Sequence, residues 1–187
     1  MIRLIKKYNR LLFLSLIIAC LYLSSLFNFI PNKSYNYDVT IYRDTWGVPH
    51  IYGITDEDTA YGLAYAHAED DFDTIFDILL FSRGVSASIK GKESAPIDYL
   101  VGLLKIWETV DEKYNSLSPK VINICNAYAD GINKYIEENL SRESKQIYPI
   151  KGKDIIAGFT LRTPLMFKLD WYITEIMKQK KPNFSKY

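Results

Sequence analysis

The sequence contains two histidines, His50 and His67, and they are its only imidazole groups for acid–base chemistry. Hydrolysis through a Ser/His/Asp arrangement also needs a nucleophile on a sharp turn, and no G-x-S-x-G segment is present. His50 falls in a stretch with the alternation of a strand, whereas His67 falls in an alanine-rich helical stretch. The sequence therefore predicts no catalytic residue in this chain.

Metal-binding signatures are also absent from the sequence, which has no H-E-x-x-H, no paired cysteines and no EF-hand loop. Four acidic residues cluster on one predicted helix: Glu69, Asp70, Asp71 and Asp73. A solvated face or helix-end electrostatics is the simpler interpretation of this cluster. A polar network with a partner is the alternative.

An apolar run precedes every element that could carry a site. Residues 11–30 are twenty consecutive positions without a charge, with four cations before them and Pro31 after them. This length spans a bilayer, and cations on the amino side favour export of the rest of the chain. We predict that residues 1–30 are a signal anchor or a signal peptide. A lipoprotein cleavage box at residues 17–20 and a buried core helix are the alternatives.

Charge and cysteine content narrow the environment and the partners. Five of the 23 basic residues precede the first acid, Asp38, which leaves the rest of the chain mildly acidic and predicts no nucleic-acid partner. Cys20 lies in the apolar run, so Cys125 is alone in the part predicted to be exported and no disulfide is expected there. We interpret Cys125, at an apolar helix position, as a small hydrophobe.

The elements that would position a site begin after a short polar linker, residues 31–37. Alternating apolar and polar residues on either side of a D-T-W-G turn predict a β-hairpin over residues 39–52. Thr55 and Asp58 then form a capping-box pattern. Apolar residues at three- and four-residue spacing predict a long helix from there to about Gly84.

Three further helices follow a loop that contains glycine and proline. We predict a second helix over about residues 97–115, and a third that starts at a Ser-Pro pair and runs over residues 118–136. The last covers about residues 152–178 and should be kinked at Pro164. Because two strands alone are marginal in water, the hairpin should join a larger sheet supplied by other residues. Residues 38–187 are therefore expected to form an incomplete fold.

Taken together, these segments resemble the penicillin acylase (penicillin amidase) family, whose relatives include acylases of acyl-homoserine lactones and lipopeptides. Each segment is weak alone, but their order is specific, and the resemblance covers residues 38 to about 175. The segments are I-Y-R-D-T-W-G-V-P-H-I-Y at 41–52, D-T-A-Y-G-L-A-Y-A-H-A-E-D at 58–70, S-R-G at 82–84 with Gly91, and N-A-Y-A-D-G-I-N-K-Y at 126–135.

The resemblance implies an α+β fold, the mainly helical first-chain portion of an N-terminal-nucleophile (Ntn) hydrolase of αββα architecture with an N-terminal β-hairpin. Such enzymes are exported precursors that cut themselves into two chains. The nucleophile is the residue freed at the start of the second chain, usually Ser, and its own α-amine is the general base. This sequence resembles the first chain and contains no Gly-Ser-Asn segment. Asp71 also departs from the family, since many relatives have Arg or Asn there.

The same resemblance implies three site residues. Phe167 and Lys168 fall near the Arg-Phe pair that gates the family's acyl pocket, although the order differs, so we expect them to be substrate-pocket residues. Glu175 falls near a calcium-binding glutamate of some penicillin acylases, which makes calcium the one candidate cofactor. A core phenylalanine and a surface glutamate are the alternatives.

The sequence as a whole predicts a fragment or subunit of an exported acylase that hydrolyses linear amides of the penicillin, acyl-homoserine lactone or lipopeptide type. Its expected partners are a second polypeptide that carries the Ser nucleophile, an acyl-amide small molecule, and the membrane through residues 11–30. The expected location is the periplasm or the extracytoplasmic face of the membrane. The alternative is a catalytically inactive remnant that acts as an envelope binding or scaffold module.

Overall fold

The computed structural model describes residues 34–139 and 144–178, together with positions 15 and 17. The predicted leader over residues 1–30 lies outside the described residues apart from those two positions, so it stays a prediction. Among the helices of the described part, none combines the length and the apolar character needed to cross a bilayer.

Two antiparallel strands, β1 (Val39–Arg43) and β2 (Pro49–Gly53), form the hairpin. The Asp44 carboxylate accepts the backbone N–H of Val48 at 3.0 Å and closes the turn. Gly47 lies in the same turn with a positive φ of 81°, which an L side chain rarely adopts. The predicted hairpin is confirmed, together with the turn that the sequence indicated.

The longest element, helix α1 (Asp56–Arg83), begins at a capping box and ends at a glycine. Thr55 and Asp58 each accept the backbone N–H of the other at its start. Gly84 ends the helix with a left-handed φ of 66°. The predicted start and end of this helix are confirmed.

Helix α1 is kinked at Asp71, whose φ of −154° and ψ of 66° lie outside the helical region. Its Oδ1 accepts the backbone N–H of Thr74 at 3.2 Å. Hydrogen bonds from the side chain and the backbone of Thr74 hold the pKa of the Asp71 carboxyl below its ordinary value. The residue that departs from the family pattern therefore caps the second half of this helix.

Three short helices follow: α2 (Ser86–Lys90), α3 (Ala95–Leu103) and α4 (Ile106–Lys113). A 3₁₀ turn at Lys92–Ser94 precedes α3, and another at Tyr114–Ser116 follows α4. The prediction of one helix over about residues 97–115 is wrong, because the chain breaks at Lys105, which has a left-handed φ of 50°. Around a straight helix, Val101 and Ile106 would lie about 140° apart. The break lets both side chains enter the same buried cluster.

The remaining described elements are α5 (Pro119–Asn139), a 3₁₀ turn at Ser144–Ile147, α6 (Gly152–Met166) and α7 (Leu169–Met177). The prediction for α5 is confirmed. The single helix predicted over residues 152–178 divides at Phe167 and Lys168, whereas Pro164 lies inside α6. The N–H groups of Phe167 and Lys168 bond to carbonyls three residues back, at 3.2 and 3.0 Å. This 3₁₀-type closure, and not the proline, ends the helix.

Glycines allow the principal elements to approach closely. An added Cβ at Gly131 of α5 would lie 2.2 Å from the carbonyl oxygen of Tyr61 on α1. At Gly62 of α1 it would lie 2.5 Å from Cγ2 of Val39 on β1, so both α5 and the hairpin pack directly on α1. The main buried cluster consists of Ala64, Ala68, Ile75, Leu79, Leu80, Ala129, Ile132, Ile136, Ile147 and Ile150.

The end of the predicted linker, residues 31–37, already belongs to the folded unit. The hydroxyl of Tyr35 donates to a Glu137 carboxylate oxygen on α5 at 2.7 Å. The ring of Tyr37 stacks on that of Tyr61 with 4.4 Å between centroids. Both aromatic side chains at the end of this segment therefore pack on the helices.

Helices dominate the described residues, and the pair β1–β2 is the one sheet that they contain. The mainly helical α+β class with a small antiparallel hairpin is therefore confirmed. The αββα architecture of a complete Ntn hydrolase, and the larger sheet expected to receive the hairpin, stay predictions.

Candidate functional site

The two predicted substrate-pocket residues, Phe167 and Lys168, form the break between α6 and α7. The Phe167 side chain is 77% exposed, and Lys168 adopts a left-handed φ of 64°. This exposure excludes the alternative of a core phenylalanine within the described part of the chain. The break presents Phe167 to solvent, and its place in an acyl pocket stays a prediction.

Other large apolar side chains are exposed on the helices that flank this break: Phe159, Leu165, Met166 and Ile176. Scattered apolar residues are ordinary on a protein surface, but several on one short stretch mark an interaction site for a protein, a membrane or a ligand. The second half of α6, together with α7, therefore offers apolar side chains that no described residue covers.

The predicted calcium residue, Glu175, lies on α7 and forms an ion pair with Lys178, with 3.1 Å between Oε1 and Nζ. Among the described residues, no group of three or more His, Cys, Asp or Glu side chains could hold a metal ion. Since calcium takes six to eight oxygen ligands, Glu175 would need partners from outside the described part. Calcium binding at Glu175 stays a prediction.

Each histidine contacts a side chain of its own neighbourhood. Nε2 of His50 lies 3.3 Å from Oδ2 of Asp44 in the hairpin turn, and Nδ1 of His67 lies 2.8 Å from the hydroxyl oxygen of Tyr128 on α5. Burial raises the pKa of the Tyr128 phenol, which therefore stays neutral at physiological pH. These two contacts orient imidazoles toward a carboxylate and a phenol, and neither activates a serine or cysteine nucleophile.

The acidic cluster on α1 takes part in a local network with the hairpin. Nη2 of Arg43, on β1, lies 3.0 Å from Oε2 of Glu69 and 2.8 Å from Oδ1 of Asp70. Hydrogen bonds to these carboxylates raise the pKa of the Arg43 guanidinium. These ion pairs tie the hairpin to α1, while Asp71 caps the kinked helix, so local electrostatics account for most of the cluster.

The S-R-G segment supplies the residue that fixes the start of α6. Arg83 donates from Nε and Nη2 to the two carboxylate oxygens of Asp154, at 2.7 and 2.9 Å, and from Nη1 to the carbonyl of Ile147 at 2.7 Å. Asp154 is only 4% exposed and also accepts the backbone N–H of Lys151, which caps α6. A two-point charged pair of this kind sets orientation as well as position. Arg83 therefore fixes the direction in which α6 carries Phe167.

The N-A-Y-A-D-G-I-N segment supplies a second residue that holds the chain just before α6. The side chain of buried Asn133 donates from Nδ2 to the carbonyl of Ile150 and accepts the N–H of Ile150 at Oδ1, both at 2.8 Å. The amide side chain thus forms hydrogen bonds with both the N–H and the C=O of one buried residue, as the backbone of a paired strand would. Together, Arg83 and Asn133 hold the chain that enters α6.

Sequence reasoning missed Asp154 and Asp98 as positioning residues. Asp154 carried a local signal, because an acidic residue in the first turn of a predicted helix commonly caps it. Asp98 of α3 accepts the N–H groups of Ser86 and Ala87, each at 2.8 Å, and so caps α2 from a distance in sequence. Only the tertiary fold brings that carboxylate to α2.

Comparisons with known proteins agree with this arrangement. The model of the family described as Penicillin amidase matches residues 38–176. The acyl-homoserine lactone acylase QuiP of Pseudomonas fluorescens strain Pf-5 is 28% identical over 106 residues, which is 57% of this chain and 13% of that protein. The penicillin acylase 2 proenzyme of Pseudomonas sp. strain SE83 is 30% identical over 101 residues, which is 52% of this chain and 13% of that protein.

The penicillin G acylase of Escherichia coli is 28% identical over 101 residues, which is 54% of this chain and 12% of that protein. The fold is similar to a chain of the thermostable penicillin G acylase from Alcaligenes faecalis, with a TM-score of 0.57 and 24% identity. That match covers 67% of this chain and 71% of the solved one. The chain thus spans 12–13% of the length of the curated relatives named here. Since the family model covers well over half of its residues, the chain belongs to the penicillin amidase family.

Proposed function

We propose that this chain is a fragment or subunit of an exported acylase that hydrolyses linear amide bonds, and that it acts with a second polypeptide carrying the Ser nucleophile. The observation that carries this proposal is the family match over residues 38–176 in a chain without a Gly-Ser-Asn segment. The curated relatives are named as acylases of acyl-homoserine lactones and penicillins, which supports an amide with an acyl group as the substrate class.

The lengths of the matched proteins support the need for a partner. The chain covers 71% of a solved penicillin G acylase chain but only 12% of the curated penicillin G acylase from another organism. A chain of this size is therefore a small part of the polypeptide that such an acylase requires. The remaining part would supply the nucleophile and the oxyanion hole.

The hairpin also supports a partner. Trp46 is 89% exposed, and Tyr42 and Tyr52 on the strands are exposed too. The hairpin has only two strands, and no described strand pairs with either of its outer edges. An unpaired edge is a template for a further strand, so the hairpin is suited to extend a sheet of the second polypeptide.

In the proposed reaction, the Ser hydroxyl at the start of the second polypeptide attacks the amide carbonyl while the α-amine of that Ser takes its proton. The bond to the amine breaks, the amine leaves with a proton, and water then releases the acid from the acyl-enzyme. This chain contributes no reacting group. Its residues Arg83 and Asn133 hold α6, and α6 carries Phe167 and Lys168 toward the acyl group.

Three finer parts of the proposal rest on the sequence alone. Residues 11–30 would place the chain at the extracytoplasmic face of the membrane. Glu175 would contribute to a calcium site that the second polypeptide completes. The acyl group would be of the penicillin, acyl-homoserine lactone or lipopeptide type.

Co-expression tests the proposal. The full chain is produced with an adjacent reading frame that contains a Gly-Ser-Asn segment, and the release of free amine from penicillin G and from an acyl-homoserine lactone is measured. The expected result is amide hydrolysis by the pair and by neither part alone. The control is the pair with that Ser replaced by Ala. A stable pair without hydrolysis supports the alternative, an inactive binding or scaffold module.

A further inference from the structure

An apolar groove with a volume of about 630 Å³ runs between α1, α5 and α6. Its walls are formed mainly by aliphatic and aromatic side chains from all three helices: Ile75, Ile78 and Leu79 of α1, Ile124 and Ile132 of α5, and Ile155, Phe159 and Leu165 of α6. Three of these lining residues, Ile78, Phe159 and Leu165, are exposed, and contact between apolar side chains and water is unfavourable.

Apart from Arg162, the polar side chains along the groove already have partners within the domain. The hydroxyl of Ser82 donates to the carbonyl of Leu79 at 3.2 Å, Asp154 is paired with Arg83, and His67 contacts Tyr128. Polar recognition inside the groove is therefore slight. An occupant would be recognised by its apolar side chains.

Arg162 differs from these residues, because it lies exposed at the edge of the groove, on α6. No described residue forms an ion pair or a hydrogen bond with its guanidinium. An apolar occupant with a carboxylate beside Arg162 would thus match both the walls and the charge of the groove.

We propose that this groove binds an apolar, amphipathic segment of the second polypeptide, with an acidic side chain facing Arg162. The inference rests on the proposed function. The chain spans 12–13% of the length of its curated relatives, so the proposed acylase includes a much larger polypeptide that is available to cover this groove. A groove between helices accepts an amphipathic helix through its apolar face.

Gly158 provides a way to fill the groove. It lies on α6 in the groove wall, and a Cβ added there would come no closer than 4.0 Å to Cγ2 of Ile78. Gly158→Leu places an apolar side chain in the groove, where the segment of the second polypeptide would lie. Leucine also has a higher helix propensity than glycine, so α6 should be retained. The matched control, Gly158→Ala, leaves the groove open.

Cys125 provides a readout at the groove, because this largely buried residue belongs to the lining and Cys20 is the only other cysteine. In the full chain with Cys20→Ser, the rate of Cys125 alkylation by N-ethylmaleimide is measured at alkaline pH, alone and with the co-expressed second polypeptide. We expect the pair to alkylate at least about tenfold more slowly, and Gly158→Leu to weaken pairing by about tenfold while Gly158→Ala does not.

The outcomes separate this inference from the proposed function. An active pair in which Cys125 reacts as fast as in the chain alone, or in which Gly158→Leu pairs normally, overturns the groove assignment and leaves the proposed function standing. A second contrary outcome is an active pair in which Cys125 still reacts but is protected when dodecanoate is added. That outcome overturns the groove assignment in favour of a lipid-like ligand. A third is a full chain in which Cys125 is already protected from alkylation without the second polypeptide and loses that protection when residues 1–30 are removed. That outcome overturns the groove assignment in favour of the leader as the occupant.

Discussion

Arg83 and Asp154 join the end of α1 to the first turn of α6 through two parallel hydrogen bonds of 2.7 and 2.9 Å. The carboxylate is nearly inaccessible to solvent, so removal of the arginine leaves a buried charge without its partner. Losing one partner of such a pair commonly costs about 3 kcal/mol or more. The orientation of α6, and with it the direction of Phe167, depends on this contact.

The first prediction concerns this pair. Arg83→Ala should lower the free energy of unfolding of the full chain by about 3 kcal/mol, measured by urea denaturation. Lys113→Ala removes an ion pair with Glu112 in which both side chains are largely exposed, and it should cost less than about 1 kcal/mol. Equal effects of the two substitutions would contradict the role assigned to Arg83.

The second prediction concerns the contact between α1 and α5. Gly131→Ala places a Cβ 2.2 Å from the Tyr61 carbonyl oxygen, far inside van der Waals contact, so the helices must separate, at a cost of about 2 kcal/mol. Gly102→Ala, in α3, meets no atom within 4 Å and should stabilise the chain by about 0.5 kcal/mol. Thermal unfolding should therefore move in opposite directions for the two variants. A Gly131→Ala variant as stable as the parent would show that the helices do not approach as described.

The third prediction concerns acid stability. The side-chain hydrogen bond from Thr55, the backbone N–H of Asp38 and further backbone donors hold the pKa of Asp58 below its ordinary value. Since the folded pKa is depressed, this stabilisation is present above the unfolded pKa of about 3.9 and is lost as pH falls through the folded pKa. Asp58→Asn should therefore be less stable at pH 6 and lose less further stability than the parent between pH 5 and pH 3.

Denaturation midpoints at pH 6 and pH 3 measure this difference. Asp73→Asn, at an exposed position of α1, is the matched control and should keep the acid dependence of the parent. An Asp58→Asn variant with the same acid dependence as the parent would exclude a native-state role for this carboxylate.

Much of this fold follows from local sequence signals. The D-T-W-G turn predicts the hairpin, and the Thr55–Asp58 capping box predicts the start of α1. In each motif, side chains form hydrogen bonds with backbone N–H groups only a few residues away. The two helix breaks carry no such signal. Lys105 and Lys168 adopt left-handed conformations without being glycine. The break at Lys105 brings Val101 and Ile106 into one buried cluster, a contact that no short stretch of sequence reveals.

The candidate site divides in the same way. Arg83 and Asn133 belong to segments that resemble the family, but their partners, Asp154 and Ile150, lie far along the chain. Sequence pattern cannot pair residues across such distances. The apolar groove likewise requires three helices, and each apolar stripe alone is typical of core.

The fourth prediction concerns the proposed acyl pocket. Phe167→Ala removes a side chain that is largely exposed in this chain, so the stability of the chain should change by less than about 0.5 kcal/mol. In the active pair, the same substitution should lower kcat/KM for an acyl amide by about tenfold. Tyr99→Ala, at an exposed position of α3, is the matched control and should change neither quantity. Unaltered kcat/KM in the Phe167→Ala pair would remove Phe167 from the pocket.

In the proposed function, the reacting hydroxyl belongs to a second polypeptide. Intact-mass measurement of the co-expressed pair after treatment with phenylmethylsulfonyl fluoride tests it most directly. We expect one sulfonyl adduct, on the amino-terminal Ser of the second polypeptide, with loss of amide hydrolysis and an unmodified mass for this chain. An adduct on this chain that abolishes hydrolysis, or amide hydrolysis by this chain alone, would contradict it.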